Sequence, residues 1–279
     1  MTERLLIDTK EINNHRIKIY YDTNAMCPCT DWDMAAYFLF EYNDSYHHRL
    51  SNVCHWREVF GKYGDSNHSL DDALEVLVSD YVQWKDLLNY IKKGKVDGYR
   101  MRYDKSENMW YLEWYNKTRY EEVLSIAPSD LYSSDYTAEF IESMSREEVV
   151  QILNDLGKDI FVKEWSTSGY SQGDYVEGVA FCTKERYAKM VNTDTTDWKT
   201  KIDALIDGEV EAIGMWMWGD VKGFVLEKKV PFTKHFHEEN REDEEDFEWE
   251  EIDSCWGYFM ETDELINEVI SEHNLKEVA

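Results

Sequence analysis

The chain is poor in the residues that build disulfide scaffolds, flexible linkers and membrane spans. Its 279 residues include only five cysteines and three prolines. An odd and sparse set of cysteines does not make a disulfide framework, so we expect reduced thiols. No apolar run reaches transmembrane length, and the first residues lack the pattern of a signal peptide. We therefore expect a cytoplasmic protein that makes no membrane contact.

Basic residues are also scarce relative to acidic ones. The 58 Asp and Glu face 30 Lys and Arg, which gives a formal net charge of −28. Such a chain repels nucleic acids and is attracted to basic surfaces, which inside a cell often serve to bind DNA or RNA. The charge predicts no direct nucleic-acid binding and favours a basic, nucleic-acid-binding protein as partner. The alternative is that the acidity serves solubility alone.

Signatures of cofactor or metal chemistry are missing from the sequence. It has no P-loop, dinucleotide fingerprint, H-E-x-x-H motif or EF-hand loop. We therefore predict no cofactor and no catalytic residue. Gly169-Tyr-Ser-Gln-Gly does match G-x-S-x-G, but that nucleophile elbow needs a helix after it, and residues 174–181 have a strand pattern. A hairpin turn is favoured here, and a hydrolase that uses Ser171 is the alternative.

One group of cysteine and histidine residues offers ligands to a soft metal. Cys27 and Cys29 flank a proline, and Cys54 is followed by His55. Zinc sites usually have longer spacings than one residue, so we predict no metal, with a structural zinc at these four residues as the alternative. A buried or redox-sensitive thiol pair is a further explanation of Cys27 and Cys29.

The residues that are abundant indicate a folded chain. Hydrophobic residues make up 43% of the sequence and aromatic residues 15%. Strand pairs are interrupted by helices without regular βαβ alternation, which predicts an α+β fold with mixed or antiparallel sheets, hairpins and a few helices. We place a boundary near residue 157, between an N-terminal α+β region (1–157) with a long helix at 70–93 and a C-terminal α+β region (158–279) with an acidic loop at 238–251.

Local patterns also predict individual elements. The 3.6-residue period and capping residues indicate helices, and alternation indicates strands. Glu211–Trp218 is predicted as a strand that pairs with Val221–Glu227 across Gly219-Asp220. The other predictions are helices at 146–156, 184–190, 197–206 and 263–272, a hairpin of strands 98–103 and 109–115, and strands at 159–165 and 175–181.

The acidic run from His235 to Glu251 is broken by Phe247 and Trp249. Because large aromatic side chains dominate protein interfaces, this run is our candidate contact element. The residues predicted to contact a partner are Glu244, Glu245, Asp246, Phe247 and Trp249. The alternative is a solvated loop that has no specific role.

Several motifs resemble those of a broad group of phage and mobile-element proteins. They are Tyr21-Asp22 followed by Cys27-Pro-Cys-Thr-Asp-Trp-Asp, the stretch Gly169-Tyr-Ser-Gln-Gly-Asp, the stretch Trp218-Gly-Asp-Val-Lys-Gly-Phe, and Ile252-Asp-Ser-Cys-Trp-Gly-Tyr. Their order and spacing resemble the group over most of the chain, and residues 64–155 are the least covered.

Within that group the chain resembles the anti-Gabija proteins, which inhibit a host antiviral defence by binding a nuclease complex and blocking its access to DNA. The resemblance implies a phage-encoded inhibitor that acts in the host cytoplasm on a defence nuclease. Since a symmetric target favours a symmetric inhibitor, a homo-oligomer is a further expectation. A non-specific DNA mimic, a hydrolase or metal-dependent enzyme, and a housekeeping phage protein remain as alternatives.

Overall fold

The computed structural model describes residues 5–42, 69–131, 133, 136–168, 175–191, 196–234 and 244–275. Within these ranges eight helices and ten strands are present, and the strands form three antiparallel sheets. The α+β class predicted from the sequence is therefore confirmed.

The strands and helices are numbered in chain order. The strands are β1 (Leu6–Ile12), β2 (His15–Tyr21), β3 (Tyr37–Tyr42), β4 (Tyr99–Asp104), β5 (Met109–Tyr115), β6 (Tyr120–Ile126), β7 (Ile160–Ser168), β8 (Tyr175–Thr183), β9 (Lys222–Lys234) and β10 (Glu244–Tyr258). The helices are α1 (Pro28–Asp31), α2 (Leu70–Tyr81), α3 (Trp84–Lys92), α4 (Tyr136–Ile141), α5 (Arg146–Leu156), α6 (Lys184–Val191), α7 (Trp198–Trp218) and α8 (Thr262–Glu272).

The chain divides into two compact units. The first unit comprises Met1–Trp32 and Glu211–Ala279, and the second comprises Asp33–Val210. Neither break falls near residue 157, where the sequence predicts a boundary. The first unit is thus built from both ends of the chain, which are far apart in sequence.

A four-stranded sheet forms the framework of the first unit. Its strand order is β1-β2-β9-β10, so the two terminal segments of the chain meet where β2 pairs with β9. One face of the sheet packs against α8 in a small apolar core. Its buried members are Ile12, Ile17, Ile19, Phe224, Leu226, Leu265, Ile266 and Val269. Burial of these side chains fixes the register of β9, because a slip by one residue would turn Phe224 and Leu226 to the opposite face.

The second unit contains two three-stranded sheets, in the orders β3-β8-β7 and β4-β5-β6, together with helices that share a larger apolar core. Helix α5 begins with a capping box, in which Ser145 and Glu148 each accept a hydrogen bond from the backbone N–H of the other. The predicted helix at 146–156, the hairpin of β4 and β5, the strands β7 and β8, and the helices at α6 and α8 are all confirmed.

The long helix predicted at 70–93 is two helices in the structure. Val82 and Gln83 have extended backbone conformations that separate α2 from α3. The Val82 side chain is buried at this break. Two residues later, the indole Nε1 of Trp84 donates a 3.0 Å hydrogen bond to the Leu131 carbonyl. These tertiary contacts favour the break although no proline or glycine lies there.

The predicted strand at Glu211–Trp218 is wrong. These residues form the end of α7, a helix of 21 residues that begins at Trp198. Gly219 follows with a φ of +72°, a left-handed conformation that commonly ends helices and that glycine adopts without strain. The predicted hairpin at Gly219-Asp220 is therefore absent, and β9 pairs with β10 and β2.

Candidate functional site

A two-stranded ribbon of β9 and β10 continues past His15, the first residue of β2. Pairing of β2 with β9 ends at His15 and Lys228, but β9 and β10 stay paired as far as Lys234 and Glu244. We call residues 228–234 of β9 and 244–251 of β10 the acidic ribbon. At about 3.4 Å per residue, it extends roughly 20 Å.

The β10 side of the acidic ribbon has an unusual concentration of negative charge. Six of the eight residues from 244 to 251 are acidic, and none is basic. Because side chains alternate between the two faces of a strand, the even-numbered residues form a row of carboxylates. The members of this row whose side chains are described are Asp246, Glu248 and Glu250. Glu250 lies opposite Lys228, and Glu248 lies opposite Val230.

The opposite face of the acidic ribbon bears two aromatic side chains. Phe247 and Trp249 are two residues apart, and their rings meet edge to face with centroids 6.1 Å apart. The Phe247 side chain is 44% exposed. Lys229 Nζ lies 3.5 Å from the centroid of the Phe247 ring, and the Arg16 guanidinium carbon lies 4.3 Å from that of Trp249. Both contacts have cation–π geometry, which orients the rings before any partner binds.

Glu227 fixes the arginine that supports Trp249. Its carboxylate accepts hydrogen bonds from Arg16 Nε at 2.5 Å and from Lys18 Nζ at 2.8 Å. Burial raises the pKa of Glu227, but the two cationic donors lower it by more, so that its pKa lies below the ordinary value. The three charges hold the base of the acidic ribbon in one arrangement.

Replacing Glu227 with glutamine should lower the stability of the first unit at pH 7 by about 1 kcal/mol. A carboxylate with a depressed folded pKa stabilises the fold above the unfolded pKa of about 4.3, and this stability is lost as the pH falls through the folded pKa. The difference in stability between the variant and the wild type should therefore disappear at acidic pH. Thermal unfolding at several pH values measures it. Glu248→Gln, which removes an equal charge from an exposed position, should show no such loss, and an equal loss in both variants would contradict the account.

The structure brings the predicted contact residues together on one strand. Glu245, Asp246, Phe247 and Trp249 all lie in the acidic ribbon, where Glu244 begins β10 and its side chain is outside the described part. The predicted loop at 238–251 is wrong for residues 244–251, because their backbone pairs with β9; residues 238–243 lie outside the described residues.

The residues that support the aromatic pair of β10 are not among those predicted from the sequence. Lys229 and Arg16 lie under the aromatic rings, and Pro231 pairs with Phe247. The basic and apolar run Lys228-Lys-Val-Pro-Phe next to an acidic run was a signal for this pairing. Arg16 had no such signal, since its position follows from the long-range pairing of β2 with β9.

Of the four candidate ligands of the alternative zinc site, the structure describes two, Cys27 and Cys29. Cys54 and His55 lie outside the described ranges. A hydrogen bond from Cys29 lowers the pKa of Cys27 to about 7 against the opposing effect of burial. The Cys27 N–H donates a 3.0 Å hydrogen bond to Asp31. No group of three or more histidine, cysteine, aspartate or glutamate side chains is arranged for a metal among the residues that the structure describes.

The alternative hydrolase nucleophile, Ser171, also lies outside the described residues, as do its neighbours from 169 to 174. The segment after this motif is strand β8, which pairs antiparallel with β7.

None of the described helices combines the length and the hydrophobicity that a membrane-spanning helix needs. No protein-family model, curated protein or solved structure matches the chain.

Proposed function

We propose that this chain is a phage-encoded inhibitor that binds a basic, nucleic-acid-handling protein of the host antiviral defence, such as a nuclease, and blocks its access to DNA. The observation that carries the proposal is the acidic ribbon, in which one face bears a row of carboxylates and the other bears the exposed Phe247 beside the half-buried Trp249. The phage origin and a defence nuclease as the target are inferred from the motifs that resemble those of phage proteins, among them the anti-Gabija inhibitors.

The charge of the chain supports a basic partner. A net charge of −28 creates a field that repels DNA and speeds the encounter with a cationic surface. The surfaces with which nucleases hold DNA are cationic for the same electrostatic reason. An acidic ribbon that lies in such a surface occupies the place of the phosphates, so DNA and inhibitor compete for one site.

The aromatic pair supports a specific partner in preference to any basic protein. Aromatic residues that are held in place before binding lose little conformational freedom and act as anchors in interfaces. Phe247 and Trp249 have this character, since each ring rests on a cation of the same unit. The inhibitor would act in the host cytoplasm, needs no cofactor, and would match a symmetric target as a homo-oligomer.

The test begins with affinity capture from bacterial cells that express a nuclease-based defence system, followed by DNA cleavage with the purified nuclease. We expect near-stoichiometric amounts of the chain to stop cleavage, and excess DNA to reverse the inhibition. A captured nuclease that cleaves DNA equally well in its presence would overturn the proposal.

Salt dependence separates a specific inhibitor from a non-specific DNA mimic, which the high net charge alone would favour. Between about 0.05 and 0.2 M salt, a complex held by charge should weaken by roughly 1,000-fold. We expect an aromatic-anchored complex to weaken by only about tenfold. Calorimetric titration at several salt concentrations measures the slope. A 1,000-fold loss, together with binding to unrelated DNA-binding proteins, would favour the mimic.

A further inference from the structure

Strand β10 is the last strand of its sheet in the described part of the chain. One side of its backbone pairs with β9, and the other side is an edge. An exposed strand edge presents N–H and C=O groups on which another strand can pair. Because this edge lies in the acidic ribbon, the side chains of the ribbon determine which segment can pair with it.

The register identifies the residues whose backbone groups point to this edge. Pro231 has no N–H, so Phe247, which lies opposite, belongs to a pair without mutual hydrogen bonds. Trp249 lies opposite Lys229, and the Lys229 N–H donates a 2.7 Å hydrogen bond to the Asn14 carbonyl on the other side of β9. Trp249 therefore also belongs to a pair without mutual hydrogen bonds. The N–H and C=O groups of Phe247 and Trp249 therefore point away from β9. By alternation, those of Glu245 and Glu251 do the same.

A local contact agrees with this orientation. The Phe247 N–H donates a 2.8 Å hydrogen bond to Oδ1 of the preceding Asp246 side chain. A carbonyl of an added strand would replace that carboxylate oxygen.

The side chains of β10 disfavour a second copy of this chain as the added strand. Six of the eight residues from 244 to 251 are acidic, so pairing of two such edges would place carboxylates opposite carboxylates. Like charges at opposite positions destabilise a sheet, whereas lysine or arginine opposite glutamate stabilises it. The edge is thus complementary to a basic strand.

We propose that the edge of β10 from Glu245 to Glu251 binds an extended basic segment of the partner protein as an additional antiparallel strand. Lysine or arginine at alternate positions of that segment would face the row Asp246, Glu248 and Glu250. Large apolar residues between them would pack beside Phe247 and Trp249. This inference rests on the proposed function, because it describes how the acidic ribbon holds a protein partner.

A labelled peptide of about nine residues that alternates lysine and valine serves as the probe for the full-length chain. Its valines would lie opposite Phe247 and Trp249, so the valine amides would point to β10 and the lysine amides away from it. N-methylation of the valine amides should weaken binding at least tenfold in fluorescence anisotropy. N-methylation of an equal number of lysine amides should leave binding nearly unchanged. Equal binding by both methylated peptides would overturn the inference.

Variants of the chain itself, with the peptide unchanged, test the same edge. Glu245→Pro with Glu251→Pro removes two outward N–H groups and leaves the hydrogen bonds to β9, whereas Glu245→Thr with Glu251→Thr removes the same charges only. We expect only the proline variant to lose peptide binding by tenfold or more relative to its threonine control. Loss of dimerisation in the proline variant would show that a second copy occupies the edge and would contradict the inference.

The two proposals fail separately. If both methylated peptides bind alike but the nuclease is still inhibited, the proposed function stands and the strand addition is wrong. If peptide binding depends on the methylated position but no nuclease is inhibited, the strand addition stands and the proposed function fails.

Discussion

Replacing Gly178 with alanine is expected to destabilise the second unit by about 3 kcal/mol and to lower its Tm by roughly 6–12 °C. Gly178 is a buried residue of the central strand β8. A Cβ atom at this position would lie 2.5 Å from Trp165 Nε1 and 2.5 Å from the Leu39 carbonyl oxygen. Trp165 is itself held between Phe38 and Phe40, with ring centroids 5.9 and 5.6 Å away, so it has little room to move.

The control for this prediction is the same substitution at Gly208. This glycine lies inside helix α7, and a Cβ atom added there would meet no neighbouring atom within 4 Å. Alanine at this position should stabilise the protein by about 0.5–1 kcal/mol, because alanine favours helices more than glycine does. Thermal unfolding followed by circular dichroism measures both variants. A Gly178→Ala protein that melts at the wild-type temperature would show that Trp165 does not pack as described.

Replacing Phe247 and Trp249 together with alanine is expected to weaken partner binding on the order of 1,000-fold. Each ring is exposed or half-buried and is oriented by a cation, as expected of an interface anchor, and each such anchor contributes about 2 kcal/mol. The fold should survive, since the core of the first unit includes neither ring. Calorimetric titration of the captured nuclease with wild type and variant measures the loss.

A matched control lies in the second unit. Tyr115 and Tyr120 are also an exposed aromatic pair, with centroids 5.1 Å apart, and Arg100 lies 3.3 Å from the Tyr120 ring centroid. Their double replacement with alanine removes a comparable aromatic surface. We expect nuclease binding to be unchanged. Equal losses in the two double variants would mean that the acidic ribbon is not the contact surface.

Most short elements of the fold follow from the sequence, but the end of α7 does not. The run Met-Trp-Met-Trp at 215–218 has β-forming residues and predicts a strand. Over a longer window the hydrophobic period indicates a helix, because the buried side chains are spaced by four or seven residues. They are Trp198, Ile202, Ile206, Ile213 and Met217. Gly208 and Gly214 interrupt that pattern, so the helical signal is visible only across the whole segment.

The acidic ribbon shows a different limit. Its composition predicts Phe247, Trp249 and the neighbouring acids as contact residues, but acidic residues have low β propensity, so the same composition predicts a loop. Pairing with β9, which places Lys228 opposite Glu250 and Lys229 opposite Trp249, is what makes it a strand. Such pairing depends on long-range register, as does the position of Arg16, and local sequence does not specify it.

Hydrogen–deuterium exchange of the chain, alone and bound to the captured nuclease, would locate the contact surface. We expect protection on binding to concentrate in residues 244–251 and to be strongest at the outward amides of Glu245, Phe247 and Trp249. If protection were confined to another described segment, such as β4 to β6, with unchanged exchange in the acidic ribbon, the ribbon would not be the contact surface.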